Sequence, residues 1–199
     1  MIGTNQIYEL YFILNPELSA EQIDTQISKI SKLVKDEIGG ENIEIEKQGL
    51  KRLAYRVKKH YSGSYVLMNF ELELENCKKI GSLEKKLNIE KEVLRYIILN
   101  QTEFLIQKSK EKPSATEIKS HNELNKKAKR PKDRKCIVKH MGLRVIDYKD
   151  VDFLQQFVSP YAKIFHRDKT GTGAKFQRKI AKAVKRARHM ALMPFTPQE

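Results

Sequence analysis

Between Ile7 and Asn100 the apolar residues switch between two spacings, and the order of the switches leaves few folds open. "IYELYFIL" (7–14) is a compact apolar run stopped by Pro16, the mark of a mostly buried strand. Ser19 then opens a helix, with Gln22 three residues on to complete a capping box. Ile23, Ile27, Ile30, Val34 and Ile38 recur at three- and four-residue steps, and Gly39-Gly40 ends the pattern. Two strand-like runs follow, "NIEIEKQGLKRLAYRV" (42–57) and "SYVLMNFELEL" (64–74), around a turn over "KKHYSG". A second helical stretch places Cys77, Ile80, Leu83 and Leu87 on one side, and "VLRYIILN" (93–100) closes the series as a strand. The order β-α-β-β-α-β predicts an α+β, ferredoxin-like domain: a four-stranded antiparallel sheet with two helices on one face.

Such a sheet has a second face that its own helices do not cover. Ile7, Glu9, Tyr11 and Ile13 alternate with Tyr8, Leu10, Phe12 and Leu14 in the first strand, and Val93, Arg95, Ile97 and Leu99 share a side in the last. The sets holding Glu9 and Arg95 are expected to form the open face. They are mostly apolar, which suits docking better than solvation, so Ile7, Tyr11, Ile97 and Leu99 are the expected docking residues. RNA-recognition motifs share this strand order and stack bases on their sheets. Here Ser64-Tyr-Val-Leu-Met after Gly63 breaks their aromatic spacing, and residues 1–100 carry fifteen basic and fifteen acidic side chains. Base stacking on the sheet is therefore not expected.

The second half differs in kind. Residues 101–199 hold twenty-four Lys and Arg against ten acids, so the whole net charge of +14 lies there. Seven of these cations fall among the fourteen positions from Lys175 to Arg188, with no acid between them. At about 100° per residue, Lys175, Arg178, Lys179, Lys182, Lys185, Arg186 and His189 share one stripe. Phe176, Ile180, Ala183, Val184, Ala187 and Ala191 gather opposite, and Arg188 lies off the stripe, where it is expected to meet RNA curving around the helix or another protein. Thr172 is the expected cap of this helix and Pro194 follows its end. Like charges without compensating Glu at four-residue spacing destabilise an isolated helix by a few tenths of a kcal/mol per pair. A polyanion that supplies the missing charge accounts for them. Lys163, Arg167 and Lys169 extend the basic surface, and Thr170 and Thr172 can offer hydroxyls to phosphate near the helix start. A membrane surface is the rival partner, but Ala and Val make up most of the apolar face.

Residues 107–131 are polar, without an aromatic side chain, and read as a flexible linker between a domain over 1–106 and a small basic all-α domain over 132–199. In the latter, "IDYKDVDFLQQFVSP" predicts a helix from Tyr148 or Lys149 with Val151, Leu154 and Phe157 or Val158 inward. An irregular basic segment, "YAKIFHRDKTGTG", then leads to the helix above. So few apolar residues make a marginal core for ~60 residues, and the domain is expected to lean on the open sheet and on RNA.

Catalysis finds no constellation. Asp147, Asp150 and Asp152 surround a helix start, where acids favour the dipole. Cys136 and His140 are two ligands, short of a closed structural zinc site. No metal, cofactor or small-molecule substrate is expected. No run approaches a membrane span, nothing resembles a signal peptide, and Cys77 and Cys136 suit a reducing cytosol.

Both halves carry family resemblances. "YELYFILNP", "GLKRLAYRVKK", "YVLMNFE" and "VLRYIIL", in that order, make residues 7–100 similar to bacterial small-subunit ribosomal protein six. "IDYKD", "KTGTGAKFQRKIAKAVKRAR" and "ALMPF" make residues 132–195 resemble small-subunit ribosomal protein eighteen. The resemblance implies a fusion of two proteins that are normally separate chains and neighbours on the small-subunit platform, where they bind the central domain of its rRNA. Bacterial-type ribosomes, small-subunit rRNA and neighbouring ribosomal proteins are the implied location and partners. Arg56 stands where Pro often follows Leu-Ala-Tyr in the first family. Ser159-Pro-Tyr-Ala-Lys163 stands where the second usually has Ser-Glu-Arg-Gly-Lys. Zinc-bearing members of the second have a Cys pair where only Cys136 occurs here. The alternative function is a regulatory RNA- or DNA-binding protein, for example one binding its own message, that uses the same basic helix.

Overall fold

The computed structural model describes residues 5–102, Val138 and 145–196. The chain divides into two compact units between Glu103 and Phe104, and each is taken by itself. The expected linker over 107–131 lies outside the described residues, as do Cys136 and His140.

In the first unit, β1 (Asn5–Leu14), β2 (Glu41–Val57), β3 (His60–Glu73) and β4 (Val93–Asn100) form one antiparallel sheet in the order β2-β3-β1-β4. With α1 (Ala20–Ile38) between β1 and β2, and α2 (Ile80–Ile89) between β3 and β4, the fold is ferredoxin-like. A 3₁₀ turn over Asn76–Lys79 leads into α2. The ends of α1 follow from its sequence. Ser19 accepts from the Gln22 amide while Gln22 Oε1 accepts from the Ser19 amide at 2.9 Å, which satisfies two otherwise orphaned donors. At the other end Gly39 is left-handed, with φ 67°, where a side chain would be strained.

Both helices cover one face of the sheet. Tyr8, Leu10, Phe12 and Leu14 of β1 meet Ile27, Ile30, Val34 and Ile38 of α1 and Leu83 and Leu87 of α2, joined by Val66, Met68 and Phe70 from β3. The opposite face carries Glu9, Tyr11 and Ile13, which pair across the ladder with Leu99, Ile97 and Arg95. This is the face assigned by alternation, with one correction. Val93 pairs with Leu14 rather than continuing the Arg95 side, because the register slips between Ile13 and Leu14. The slip turns Val93 into the helix-side core. The sheet is closely packed at this end: a Cβ on Gly63 would stand 2.4 Å from the Ile13 Cγ2.

The β2–β3 turn is also tighter than "KKHYSG" suggests. Only Lys58 and Lys59 lie outside the strands, with φ of 44° and 77°, and Val57 pairs with His60. Two left-handed residues suit the twist of a two-residue hairpin, but Asn or Gly normally supplies them. Here Lys58 Nζ donates to the Val93 carbonyl at 2.9 Å and ties the turn to β4.

In the second unit, α3 spans Val151–Gln155, α4 is one turn over Arg167–Thr170, and α5 spans Ala174–His189. The first of these is shorter than expected. Asp150, whose side chain accepts from the Phe153 amide, caps it, and Tyr148 and Lys149 precede the helix. Phe153, Leu154 and Phe157 are buried, whereas Val151 and Val158 are only partly so. The supposed irregular segment contains a small hairpin. Val158 bridges Ile164, and the Phe165 amide donates to the Phe157 carbonyl at 2.8 Å. Its bend places Ala162 at φ 57°.

Candidate nucleic-acid interface

Helix α5 divides as its sequence requires. Ile180, Ala183, Val184 and Ala187 are buried, and Phe176 is half-buried. Lys175, Arg178, Lys182, Lys185 and His189 are exposed, with Lys179 and Arg186 at the margin of the stripe. Lys175, Arg178, Lys182 and Lys185 meet no carboxylate among the described residues. Four long cations thus stand in water along a helix about 24 Å long, anchored by an apolar face beneath them. The helix stops in a hydrogen-bonded C-cap. The Leu192 amide donates to the Ala187 carbonyl at 2.9 Å and the Ala191 amide to that of Arg188 at 3.1 Å, with Ala191 left-handed at φ 51°.

The start of α5 departs from expectation. Gly173, not Thr172, is the N-cap, and no side chain caps the helix. Thr170 and Thr172 are buried, with their hydroxyls 2.9 Å apart. Thr172 also donates to Gln177 Oε1, and Gln177 Nε2 donates to the Phe165 carbonyl at 2.8 Å. The two hydroxyls are therefore turned inward, where they fix the Gly171–Gly173 loop against α5. Gln177 was not legible as part of this network, because it reads as one more polar position on a basic helix.

Arg188 is likewise committed to the fold. Its Nε donates to the Pro194 carbonyl at 3.1 Å, its Nη2 donates to the Ala162 carbonyl, and its guanidinium lies 5.9 Å from the Phe195 ring. It joins the Ser159–Lys163 bend to the tail of α5, which explains why it sits off the stripe. Lys163, Arg167 and Lys169 are exposed. Lys169 Nζ lies 3.8 Å from the Phe165 ring centroid, and Arg167 approaches Asp168 at 3.7 Å.

On the first unit's sheet, Ile7, Ile97 and Leu99 are partly buried and Tyr11 is 1% exposed. Tyr11 packs against Tyr65 with ring centroids 5.5 Å apart, and its hydroxyl donates to Gln48 Oε1 at 2.8 Å. Burial pushes the Tyr65 phenol well above the usual tyrosine range. Both rings are too enclosed to serve as a base-stacking platform.

Comparison with known proteins places both units. Residues 7–100 match the family model described as Ribosomal protein S6, and residues 142–193 match that described as Ribosomal protein S18. Small ribosomal subunit protein bS18 of Phocaeicola vulgatus is 55% identical over 64 residues, which are 32% of this chain and 72% of that protein. Its counterpart from Christiangramia forsetii is 58% identical over 60 residues, 30% of this chain, and the chain spans 61% of that relative's length. A crystal structure of 30S ribosomal protein S6 from Thermotoga maritima aligns over 53% of this chain and 96% of its own, at 23% identity and a TM-score of 0.47. The chain belongs to the ribosomal protein S18 family through its second unit and carries, in the same polypeptide, a first unit matched by ribosomal protein S6.

Proposed function

We propose that this chain is a structural, RNA-binding component of the small ribosomal subunit that joins two neighbouring proteins of the platform in one polypeptide. The observation that carries this reading is α5, a helix with one buried apolar face and a solvent-facing row of cations with no acid on the stripe. Lys175, Arg178, Lys179, Lys182, Lys185 and Arg186 neutralise phosphates of the central domain of small-subunit rRNA, and Lys163, Arg167 and Lys169 extend the contact. Thr170, Thr172 and Arg188 act from within, by holding the loop before the helix and the segment after it. No reaction is catalysed and no cofactor is needed. The charge is matched to a polyanion, and no helix among the described residues is long and apolar enough to cross a membrane. The place of action is the cytoplasmic, bacterial-type ribosome.

The two units, bounded near residues 106 and 132 with a linker between, dock on each other through the face bearing Ile7, Tyr11, Ile97 and Leu99. That face is mostly apolar, with Glu9 and Arg95 among its residues, and is turned away from α1 and α2, which leaves it suited to a protein partner. The test is co-sedimentation. Tagged full-length chain should travel with small subunits through a sucrose gradient after a high-salt wash. A chain found only in the free-protein fractions would overturn the reading.

A further inference from the structure

The first unit is neutral as a whole but not along its length. From Lys47 to Phe70 there are six Lys and Arg and no acid, which leaves nine basic against fifteen acidic residues in the rest of 1–100. The β2–β3 hairpin carries this charge to one end of the sheet. Its register pairs Arg52 with Ser62 and Val57 with His60, so residues 53–56 of β2 stand against Tyr61 alone. Within this bulge Arg56 lies over the Tyr61 ring, 5.6 Å from its centroid, while Tyr61 remains 63% exposed.

Part of the charge is already engaged. Lys47 pairs with Asp24, Lys51 lies over the Tyr65 ring and donates to Gln48, and Lys58 donates to the Val93 carbonyl. Glu17 meets His60 at 3.8 Å. Arg52, Arg56 and Lys59 are exposed and pair with no carboxylate among the described residues. Three unpaired cations therefore lie on the hairpin that carries this exposed ring, and one of them, Arg56, already holds the ring on one side.

We propose that this hairpin end is a second RNA contact, made to an unpaired nucleotide whose base stacks on Tyr61 while Arg52 and Lys59 meet the flanking phosphates. The proposal rests on the RNA-binding reading above and adds a site that the basic helix does not provide. Bases inside an A-form duplex do not present their faces, so an exposed ring meets only a splayed or single-stranded base. An acidic protein surface could neutralise the cations but would give the Tyr61 ring no stacking partner. The buried Tyr11 and Tyr65 cannot supply such a platform.

The test uses the full chain with a fluorescein-labelled decauridylate carrying 4-thiouridine, and a duplex RNA of the same length as the control. Tyr61→Ala and Arg56→Ala should each weaken decauridylate binding about five- to tenfold at 0.1 M salt, within the range of aromatic stacking on one base. Duplex affinity and the unfolding transition should be unchanged, and photocrosslinks should map to Tyr61. Equal affinities for parent and variants, with every crosslink inside residues 145–196, would overturn the proposal. So would unchanged decauridylate binding combined with loss of a neighbouring ribosomal protein from purified subunits of the Arg56→Ala strain, which would assign the patch to an acidic protein. A parent chain that binds neither probe would instead remove the underlying RNA-binding reading.

Discussion

Reversing the charge of Lys179 and Lys182 should separate RNA binding from folding. Both project from α5 on the side away from Ile180, Ala183 and Val184, so Lys179→Glu with Lys182→Glu removes two cations and leaves the buried face intact. If Lys175, Arg178, Lys179, Lys182, Lys185 and Arg186 supply about six phosphate contacts, log K against log[salt] should have a slope of about −4 to −5. Losing two contacts should flatten the slope to about −3. Between 1 M salt, where counterion release contributes little, and 0.1 M, the two lines diverge by about 25- to 60-fold. Repulsion from the new carboxylates should widen that gap. Filter binding or anisotropy with small-subunit rRNA across a salt series reads both slope and gap, and circular dichroism verifies that helix content is kept. Identical slopes for parent and double variant would show that the phosphates are met elsewhere, and the assignment of α5 would fail.

The other expectations concern the frame around that helix. Arg188→Ala should cost about 2–3 kcal/mol in the second unit, because the Pro194 and Ala162 carbonyls lose a charged donor. Urea unfolding should show this with the first unit's transition unmoved, and an unchanged midpoint for the second unit would refute it. Burial, aided by the Cys77 thiol, pushes the Tyr8 phenol up to about 12, from about 10 in an unfolded chain. Its contribution is therefore fully present below pH 10 and is lost as pH rises from about 10 to 12. Denaturant titrations should show a shallower alkaline fall in Tyr8→Phe than in the parent, and parallel falls would count against it. Cleavage between Pro113 and Lys129 should leave the two fragments associated in gel filtration, whereas Ile97→Asp with Leu99→Asp, at two partly buried positions of the same face, should let them part. Immediate separation of the parent fragments would show that the tether, with its roughly millimolar effective concentration, was the only link.

What could be read from the residues was whatever depends on neighbours in sequence. Ser19, Gln22 and Gly39 bound α1 through contacts spanning at most five residues, and the stripe of α5 follows from helical pitch alone. What escaped depends on partners distant in the chain. The Lys58-Lys59 turn lacks Asn or Gly because the carbonyl of Val93, thirty-five positions away, anchors it. The side on which Val93 falls was decided by a slip in its pairing with β1. Arg188 looked like one more RNA-facing cation until Ala162, twenty-six positions before it, supplied its acceptor. Thr172 suits an N-cap by type, yet Thr170 and Gln177 hold its hydroxyl in a buried chain. The Arg56–Tyr61 pair arises from four residues of β2 opposing one of β3, which no alternation pattern discloses.

The central claim is that both units reside together on the small subunit, and copy number tests it most directly. Small subunits purified from cells expressing the native chain should yield about one copy each by quantitative mass spectrometry. Peptides from residues 5–102 and from 145–196 should be equally abundant and should persist after a high-salt wash. A chain present far below one copy, or peptides from only one unit, would contradict the account.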